Sequence, residues 1–173
     1  MNYKRIIALD KKRYGKNGAV PPIQKYLRRA QYAPNMFTKL LWKKIYMVKA
    51  KKMAIEVYPE TQIGEGLYLG HFYGVTINPQ SIIGKNCNLH RGVLIGKENR
   101  GKREGTPIIG DNVWIGINAT IIGKIKVGND VLIAPNTFVN CDIPDHSVVF
   151  GNPCIIKRKE FATHNYINNI IDQ

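Results

Sequence analysis

Aliphatic residues recur every six positions along the second two-thirds of the chain. All thirteen positions hold Ile, Leu or Val: Val57, Ile63, Leu69, Ile77, Ile83, Leu89, Ile95, Ile109, Ile115, Ile121, Val127, Ile133 and Val139. Seven of them are followed directly by glycine. An α-helix with 3.6 residues per turn cannot produce a period of six, whereas short β-segments separated by tight corners can. The pattern therefore predicts a mainly β protein, a parallel β-helix whose aliphatic side chains point into a narrow prism.

Two longer spacings interrupt this period. Eight positions separate Leu69 from Ile77, and fourteen separate Ile95 from Ile109. The first spacing predicts a small bulge at residues 70–75, and the second predicts a protruding loop at residues 97–107. Grouping the hexads in threes gives coils that begin at Val57, Ile77, Ile95, Ile121 and Val139. Both insertions then fall beside corners, where a loop disturbs the core least.

The residues before the repeats have a helical pattern. PIQKYLRRAQYA and NMFTKLLWKKIYMVKAKKM each follow a proline and predict short helices. The second is basic and amphipathic, so it either packs on the β-helix or contacts a membrane surface. FATHNYINNII, near the C-terminus, predicts a short terminal helix. We therefore divide the chain into a basic helical segment (1–54), a β-helix (55–156) and a C-terminal tail with a helix (157–173).

The basic charge is concentrated in the first third of the chain. Of the net charge of +14, Met1 to Met53 hold fifteen Lys and Arg against one acid, Asp10. The other residues hold eleven of each sign. This asymmetry favours an anionic partner, and an anionic membrane is the one that we expect; a solvated, solubilising face is the alternative. No nucleic-acid-binding signature accompanies the charge, so we expect no nucleic acid partner.

Targeting signals and cysteine patterns bear only on where in the cell the protein is located. The apolar stretch IIAL is too short for a signal peptide core or a membrane span. Three cysteines form no CxxC pair, which suits a reducing compartment. We therefore expect a cytoplasmic protein, with peripheral contact at the inner face of the membrane.

One carboxylate and one histidine are predicted to meet at a corner of the β-helix. Glu56 precedes the first hexad, and one coil of eighteen residues further on lies the bulge that contains His71. A carboxylate bonded to one ring nitrogen fixes the tautomer and frees the other nitrogen to accept a proton. Glu56 and His71 thus form a candidate acid–base pair for attack by a hydroxyl group.

The repeats resemble those of the hexapeptide-repeat acyltransferases over roughly residues 55–159. The block IEVYPETQIGEGLYLGHFYGVTIN is similar to the active-site region of serine acetyltransferases, where the motifs read IDIHP and LDHATG. The resemblance implies a left-handed β-helix, a homotrimer, acetyl-CoA as acyl donor and no metal. It also implies that His71 is the catalytic base and Glu56 its partner, with Gly70 in place of an aspartate.

The same resemblance implies where acetyl-CoA binds. Its pantetheine arm would lie between neighbouring prisms, along corners occupied here by Gly96, Gly116, Ile117, Ala134 and Pro135. The ending GNPCIIKRK is similar to that of the family, which makes Lys157 and Arg158 candidate phosphate contacts; a solvated basic tail is the alternative. Because the hydroxyl would attack the thioester directly, no enzyme nucleophile is needed.

Two departures from the serine acetyltransferase pattern favour another acceptor. Thr106 stands where that family has a histidine that holds the serine carboxylate, and the long helical N-terminal domain is absent. We therefore expect an O-acetyltransferase that modifies a sugar or lipid-linked glycan in capsule or exopolysaccharide synthesis. Candidate acceptor contacts are Tyr73, His90, Arg91 and Thr106, although His90 also suits a structural role.

Three other functions stay open. The first is serine O-acetyl transfer, and the second is a zinc lyase like the γ-type carbonic anhydrases, which would need closely paired histidines that this chain lacks. The third is a non-catalytic binding scaffold.

Overall fold

Three helices precede the strands. The computed structural model describes residues 2–171 and places α1 at Tyr3–Arg13, α2 at Pro22–Gln31 and α3 at Met36–Lys51. Asn2 caps α1 by accepting a hydrogen bond from the Arg5 amide, and Asn35 caps α3 through the Thr38 amide. The two helices predicted before the repeats are confirmed as α2 and α3. Helix α1 was not predicted as a separate helix, although it lies within the segment predicted to be helical.

Short strands make up the rest of the regular structure. Within residues 2–171 these are β1 (Glu56–Val57), β2 (Gln62–Ile63), β3 (Tyr68–Gly70), β4 (Thr76–Ile77), β5 (Ile82–Ile83), β6 (Asn88–His90), β7 (Leu94–Gly96), β8 (Ile108–Ile109), β9 (Val113–Ile115), β10 (Thr120–Ile122), β11 (Lys126–Val127), β12 (Val131–Ile133), β13 (Phe138–Val139), β14 (Ser147–Phe150) and β15 (Ile155–Arg158).

The strands stack into the three faces of a prism. The first face has the order β1-β4-β7-β10-β13, the second β11-β8-β5-β2, and the third β15-β14-β12-β9-β6-β3. The pairs are parallel except β14 with β15. The predicted coil starts are confirmed, because Val57, Ile77, Ile95, Ile121 and Val139 stand in register along the first face.

The core is a column of aliphatic side chains inside the prism. Ile77, Ile95 and Ile121 are at most 1% exposed, and the intervening small positions such as Cys87 and Ala119 are fully buried. Burying one such aliphatic side chain contributes about 1.5–3 kcal/mol. The repeated period therefore stabilises the stack coil by coil.

The helices close one end of the prism through a buried polar network. Asp10 and Arg28, both inaccessible to solvent, form an ion pair at 2.8 Å. Arg28 also donates to the carbonyls of Ile63 and Gly64, and Asp10 accepts from the Gly66 amide. The network pairs backbone groups that the first coil would otherwise leave unsatisfied.

The predicted C-terminal helix does not form. Strand β15 folds back on β14, and residues 159–171 follow as turns and irregular chain. Phe161, Asn165 and Asn169 have φ of 54°, 68° and 52°, which an α-helix cannot accommodate. The Asp130 carboxylate accepts hydrogen bonds from the amides of Ala162 and Thr163. These two bonds hold the tail against the prism in its irregular, non-helical conformation.

No helix within residues 2–171 combines the length and the apolar character needed to cross a bilayer.

Candidate active site

His71 lies at the corner where the chain passes from the third face to the first. It follows β3 directly, has a φ of 51° and presents an exposed side chain. The carbonyl of His71 accepts a hydrogen bond from the Tyr73 amide, which closes the predicted bulge into a tight turn. The bulge is fixed to the segment between α3 and β1 because the Gly74 amide donates to the carbonyl of Met53 at 3.0 Å.

Glu56 lies at the same corner, at the start of the first face. Its side chain is exposed, and its amide donates to the carbonyl of Val75 at 2.9 Å. Glu56 pairs with Thr76, so the bulge lengthens the first coil by two residues beyond the usual eighteen. Among the described residues no hydrogen bond joins Glu56 to His71, and the acid–base pair stays a prediction.

His90 occupies space that only glycine at position 70 leaves free. Gly70 and His90 are paired in register, and a Cβ atom on Gly70 would lie 2.6 Å from the His90 ring. The ring packs against Trp114, with centroids 4.7 Å apart. Its Nε2 atom is buried and has no hydrogen-bond partner among residues 2–171.

Burial lowers the pKa of His90, and the nearby His71 lowers it further. His90 is therefore neutral at neutral pH, since an ordinary histidine pKa is about 6.5. The two imidazoles are close enough to interact, and His90 adds no positive charge beside His71. The Gly70 departure from the family motif was the available sequence signal for this arrangement.

Cavities lie on both sides of the corner that carries His71. On the third face, a cavity of about 430 Å³ is bounded by Tyr68, His90, Trp114 and Tyr166. On the first face, a groove of about 240 Å³ is lined by Glu56, Tyr58, Thr76, Asn78, Leu94 and Gly96, among others. His71 itself lines neither space, although His90 lines the first and Glu56 lines the second.

The other predicted acceptor contacts divide between two corners. Tyr73 lies in the bulge, is 58% exposed and stacks on Phe72. Arg91 is exposed at the same corner one coil further on. Thr106 lies instead at the end of the protruding loop, between the first and second faces, where its hydroxyl donates to the carbonyl of Gln80. One chain therefore does not bring Thr106 to the corner of His71.

Four of the predicted acetyl-CoA contacts continue the His71 corner along the prism. Gly116 and Ile117 follow β9, and Ala134 and Pro135 follow β12 one coil later. A Cβ atom on Gly116 would lie 2.6 Å from the Pro135 nitrogen, so glycine permits the close stacking of these two coils. Gly96 lies apart from this row, in the groove on the first face.

Lys157 and Arg158 are exposed on β15, at the end of the third face. The Lys157 ammonium lies 5.6 Å from the centre of the Phe150 ring. Within residues 2–171 no group of three or more His, Cys, Asp and Glu side chains is arranged to hold a metal ion.

Comparison with known proteins gives one consistent result. The family model described as bacterial transferase hexapeptide (six repeats) matches residues 106–141. Serine acetyltransferase 2 of Arabidopsis thaliana is 33% identical over 129 residues, which are 68% of this chain and 40% of that protein. Serine acetyltransferase of Staphylococcus aureus strain N315 is 38% identical over 108 residues, 61% of this chain and 50% of that protein. The chain is a hexapeptide-repeat protein homologous to serine acetyltransferases.

Solved structures give the same fold. The soybean serine acetyltransferase apoenzyme superposes with a TM-score of 0.75 at 24% identity, covering 90% of this chain and 69% of that one. Serine acetyltransferase from Brucella abortus strain S19 has a TM-score of 0.76 at 22% identity, covering 93% and 71%. The predicted left-handed β-helix is confirmed. This hexapeptide-repeat protein spans half or less of the length of its curated relatives named above.

The prediction of a polysaccharide acceptor is wrong, because these relatives and structural neighbours are serine acetyltransferases. The proposed kinship with capsule and exopolysaccharide enzymes finds no support among them. The prediction depended on Thr106 and on the short N-terminal segment. Thr106 lies at a different corner from His71, so within one chain its identity does not define the acceptor site.

Proposed function

We propose that this chain is an acetyl-CoA-dependent serine O-acetyltransferase. The observation that supports the proposal most is the exposed His71 imidazole, which lies at the same corner as the exposed Glu56 in a chain related to serine acetyltransferases. The same corner borders a groove on one face and a cavity on the next. These features are what transfer of an acyl group to a hydroxyl requires.

In the proposed reaction His71 acts as general base. It accepts the proton of the serine hydroxyl as the oxygen forms a bond to the thioester carbonyl carbon of acetyl-CoA. The tetrahedral intermediate then breaks its carbon–sulfur bond, and the CoA sulfur takes the proton from His71. Glu56 orients the ring and stabilises the imidazolium formed between these steps.

The neutral state of His90 supports this chemistry. A charged imidazolium beside His71 would disfavour protonation of His71, because like charges repel at short range. Burial against Trp114 keeps His90 uncharged at neutral pH. His71 can therefore gain a proton during turnover without a neighbouring cation.

The acyl donor is proposed to lie along the ridge that continues from His71. Gly116, Ile117, Ala134 and Pro135 supply a narrow surface without long side chains, which suits a pantetheine arm. Gly96 would contact the donor from the groove on the first face. Exposed Lys157 and Arg158 at the far end supply cations for its phosphates.

We further propose that three copies assemble so that a neighbouring prism covers the His71 corner. Both Glu56 and His71 are exposed in the single chain, and the groove beside Glu56 is open to solvent. Thr106 lies at the other edge of the first face from His71, where it bonds to the carbonyl of Gln80, and we propose that it faces the His71 corner of a second copy. A site shared between two chains explains why Glu56 and His71 are both exposed to solvent in a single chain.

The test measures CoA release from acetyl-CoA with L-serine. His71→Ala should lower turnover by about two orders of magnitude or more, the usual scale for a lost general base. Glu56→Gln should lower turnover less and leave KM for acetyl-CoA unchanged, since it acts through His71. His164→Ala, which changes an exposed histidine in the tail, is the matched control.

Two results would contradict the proposal. One is an unchanged rate in folded His71→Ala protein, which would remove the mechanism. The other is turnover of acetyl-CoA with different hydroxyl acceptors but not with serine, which would remove the substrate while leaving the mechanism intact.

A further inference from the structure

One side of α3 exposes a row of large apolar side chains. Phe37 is 78% exposed and Met36 is 69% exposed. Leu40, Leu41 and Val48 are also exposed, and the helical period places all five on one side. We call these five residues the outer face of α3. The opposite side of the helix is buried through Tyr46 and Ala50, so α3 itself is firmly packed.

Lysines stand among these apolar residues. Lys44 and Lys51 are exposed and fall on the same side of the helix by their spacing from Leu40, Leu41 and Val48. Lys49 and Lys52 are exposed at its margins. Long lysine stems can lie along an apolar surface while their ammonium groups reach outward. The surface is therefore apolar and strongly basic at once.

Nearby carboxylates do not neutralise this charge. Asp10, the one acid in residues 1–53, is buried and paired with Arg28. Glu60 pairs with Lys43 at 2.6 Å, and that single contact leaves Lys44, Lys49 and Lys51 unmatched. The partner of this surface should therefore supply negative charge.

A second copy of this chain is a poor fit. Two outer faces of α3 packed together would oppose lysines to lysines. Partners within the chain already engage most other carboxylates, namely those of Glu60, Glu65, Glu98, Asp111, Asp130, Asp142 and Asp145. Several of these contacts are to backbone amides and leave the carboxylate charged, but residues 54–173 hold eleven basic and eleven acidic side chains, so they carry no excess negative charge to match the basic segment.

Nucleic acid is also a poor fit, because five exposed apolar side chains have no role against phosphates. A basic helix with an apolar face suits the boundary between lipid headgroups and acyl chains. We propose that the outer face of α3 docks on an anionic lipid bilayer, with Phe37 and Leu40 entering the apolar boundary and Lys44 and Lys51 facing lipid phosphates. The helix lies on the membrane and does not cross it. The proposal does not depend on the proposed reaction.

The test is co-sedimentation of the full chain with lipid vesicles. Vesicles of phosphatidylcholine containing about a third phosphatidylglycerol should bind at least about tenfold more protein than phosphatidylcholine alone, and added salt should weaken the binding. Phe37→Ser with Leu40→Ser should abolish binding to the anionic vesicles. Lys44→Gln with Lys51→Gln should weaken it and reduce its salt dependence.

Matched controls change similar residues elsewhere. Ile155→Ser removes another exposed apolar side chain, and Lys97→Gln with Lys102→Gln removes two exposed lysines from the protruding loop. Both controls should bind vesicles like the parent protein. Circular dichroism of every variant establishes that its fold is retained, which is expected because all the changed side chains are exposed.

Three outcomes would overturn the proposal. Equal binding to both kinds of vesicle, or to neither, would exclude an anionic bilayer as the partner. Sedimentation that disappears after nuclease treatment would identify nucleic acid instead. A smaller assembly mass for Phe37→Ser with Leu40→Ser, without any loss of vesicle binding, would show that a second copy covers this face.

Discussion

Asp10 shows how one side chain can hold two parts of this protein together. Its carboxylate accepts hydrogen bonds from Arg28, from Gln24 and from the backbone amides of Gly66 and Leu67. The helical segment and the first coil thus share one buried charge. An isolated buried charge is costly, so the network stabilises the fold only while all its members are present.

Asp10→Asn should therefore be strongly destabilising. It removes the negative charge but leaves the Arg28 guanidinium buried, and breaking a buried pair in this way typically costs about 3–5 kcal/mol. Urea denaturation would measure the change in the free energy of unfolding. Glu60→Gln, which breaks the exposed pair with Lys43, is the control and should cost at most about 1 kcal/mol. A similar loss in the two variants would contradict this account.

Single residues also mark the limit of what sequence patterns reveal. His71 and Glu56 were placed at one corner from their spacing, and the structure places their backbones there. Asp10 was visible as a lone acid among fifteen cations, but no period identifies a buried ion pair. The packing of His90 into the space beside Gly70 depends on two adjacent coils, and its sequence signal was a glycine where the family motif has an aspartate.

At the scale of elements, the tail is held by a contact from far along the chain. Asp130 accepts hydrogen bonds from Ala162, Thr163 and His146. Residues 160–171 have apolar positions that suggest a helix, and the prediction of a helix followed from them. Capture of two tail amides by a carboxylate about thirty positions earlier is a tertiary effect, which outweighs local helix propensity.

Release of the tail should depend on pH through Asp130. Partial burial opposes ionisation of this carboxyl group, but hydrogen bonds from Thr163, His146 and Ala162 outweigh it and hold the Asp130 pKa below its ordinary value. A lowered folded pKa means that the contribution is present above the unfolded pKa of about 3.9 and is lost as the pH falls through the folded value. The tail should thus stay docked at pH 5–7, be held less strongly once the pH falls below about 3.9, and detach only below the folded pKa of Asp130.

Trp114 can report this release, because its ring contacts Tyr166 of the tail with centroids 5.2 Å apart. In a Trp42→Phe background, Asp130→Asn at pH 7 should show the Trp114 emission that the parent shows only once the pH falls below the folded pKa of Asp130. Asp145→Asn is the control, since that carboxylate binds the Asn129 amide and does not touch the tail. Identical emission from Asp130→Asn and parent at every pH would rule out this role.

At the scale of the whole molecule, the six-residue period predicted the coils, their register and both insertions, because every coil repeats the same burial requirement. The packing of the N-terminal helices on one end of the prism and the identity of the acceptor substrate were harder to predict. The packing of α1 and α2 on the prism depends on polar contacts that do not recur at a fixed spacing. The acceptor was predicted from Thr106, which lies at a different corner from His71.

The proposed active site depends on how whole chains assemble. If a neighbouring prism completes the His71 corner, one copy alone has an open groove and cannot exclude water or hold acetyl-CoA. Light scattering should give three times the 19.6 kDa mass of one chain at working concentration. On dilution, turnover per chain should fall as the assembly dissociates, while a crosslinked trimer should keep its turnover. A monomer with undiminished turnover per chain would show that each prism contains a complete site, and then Thr106 would have no access to any His71 corner.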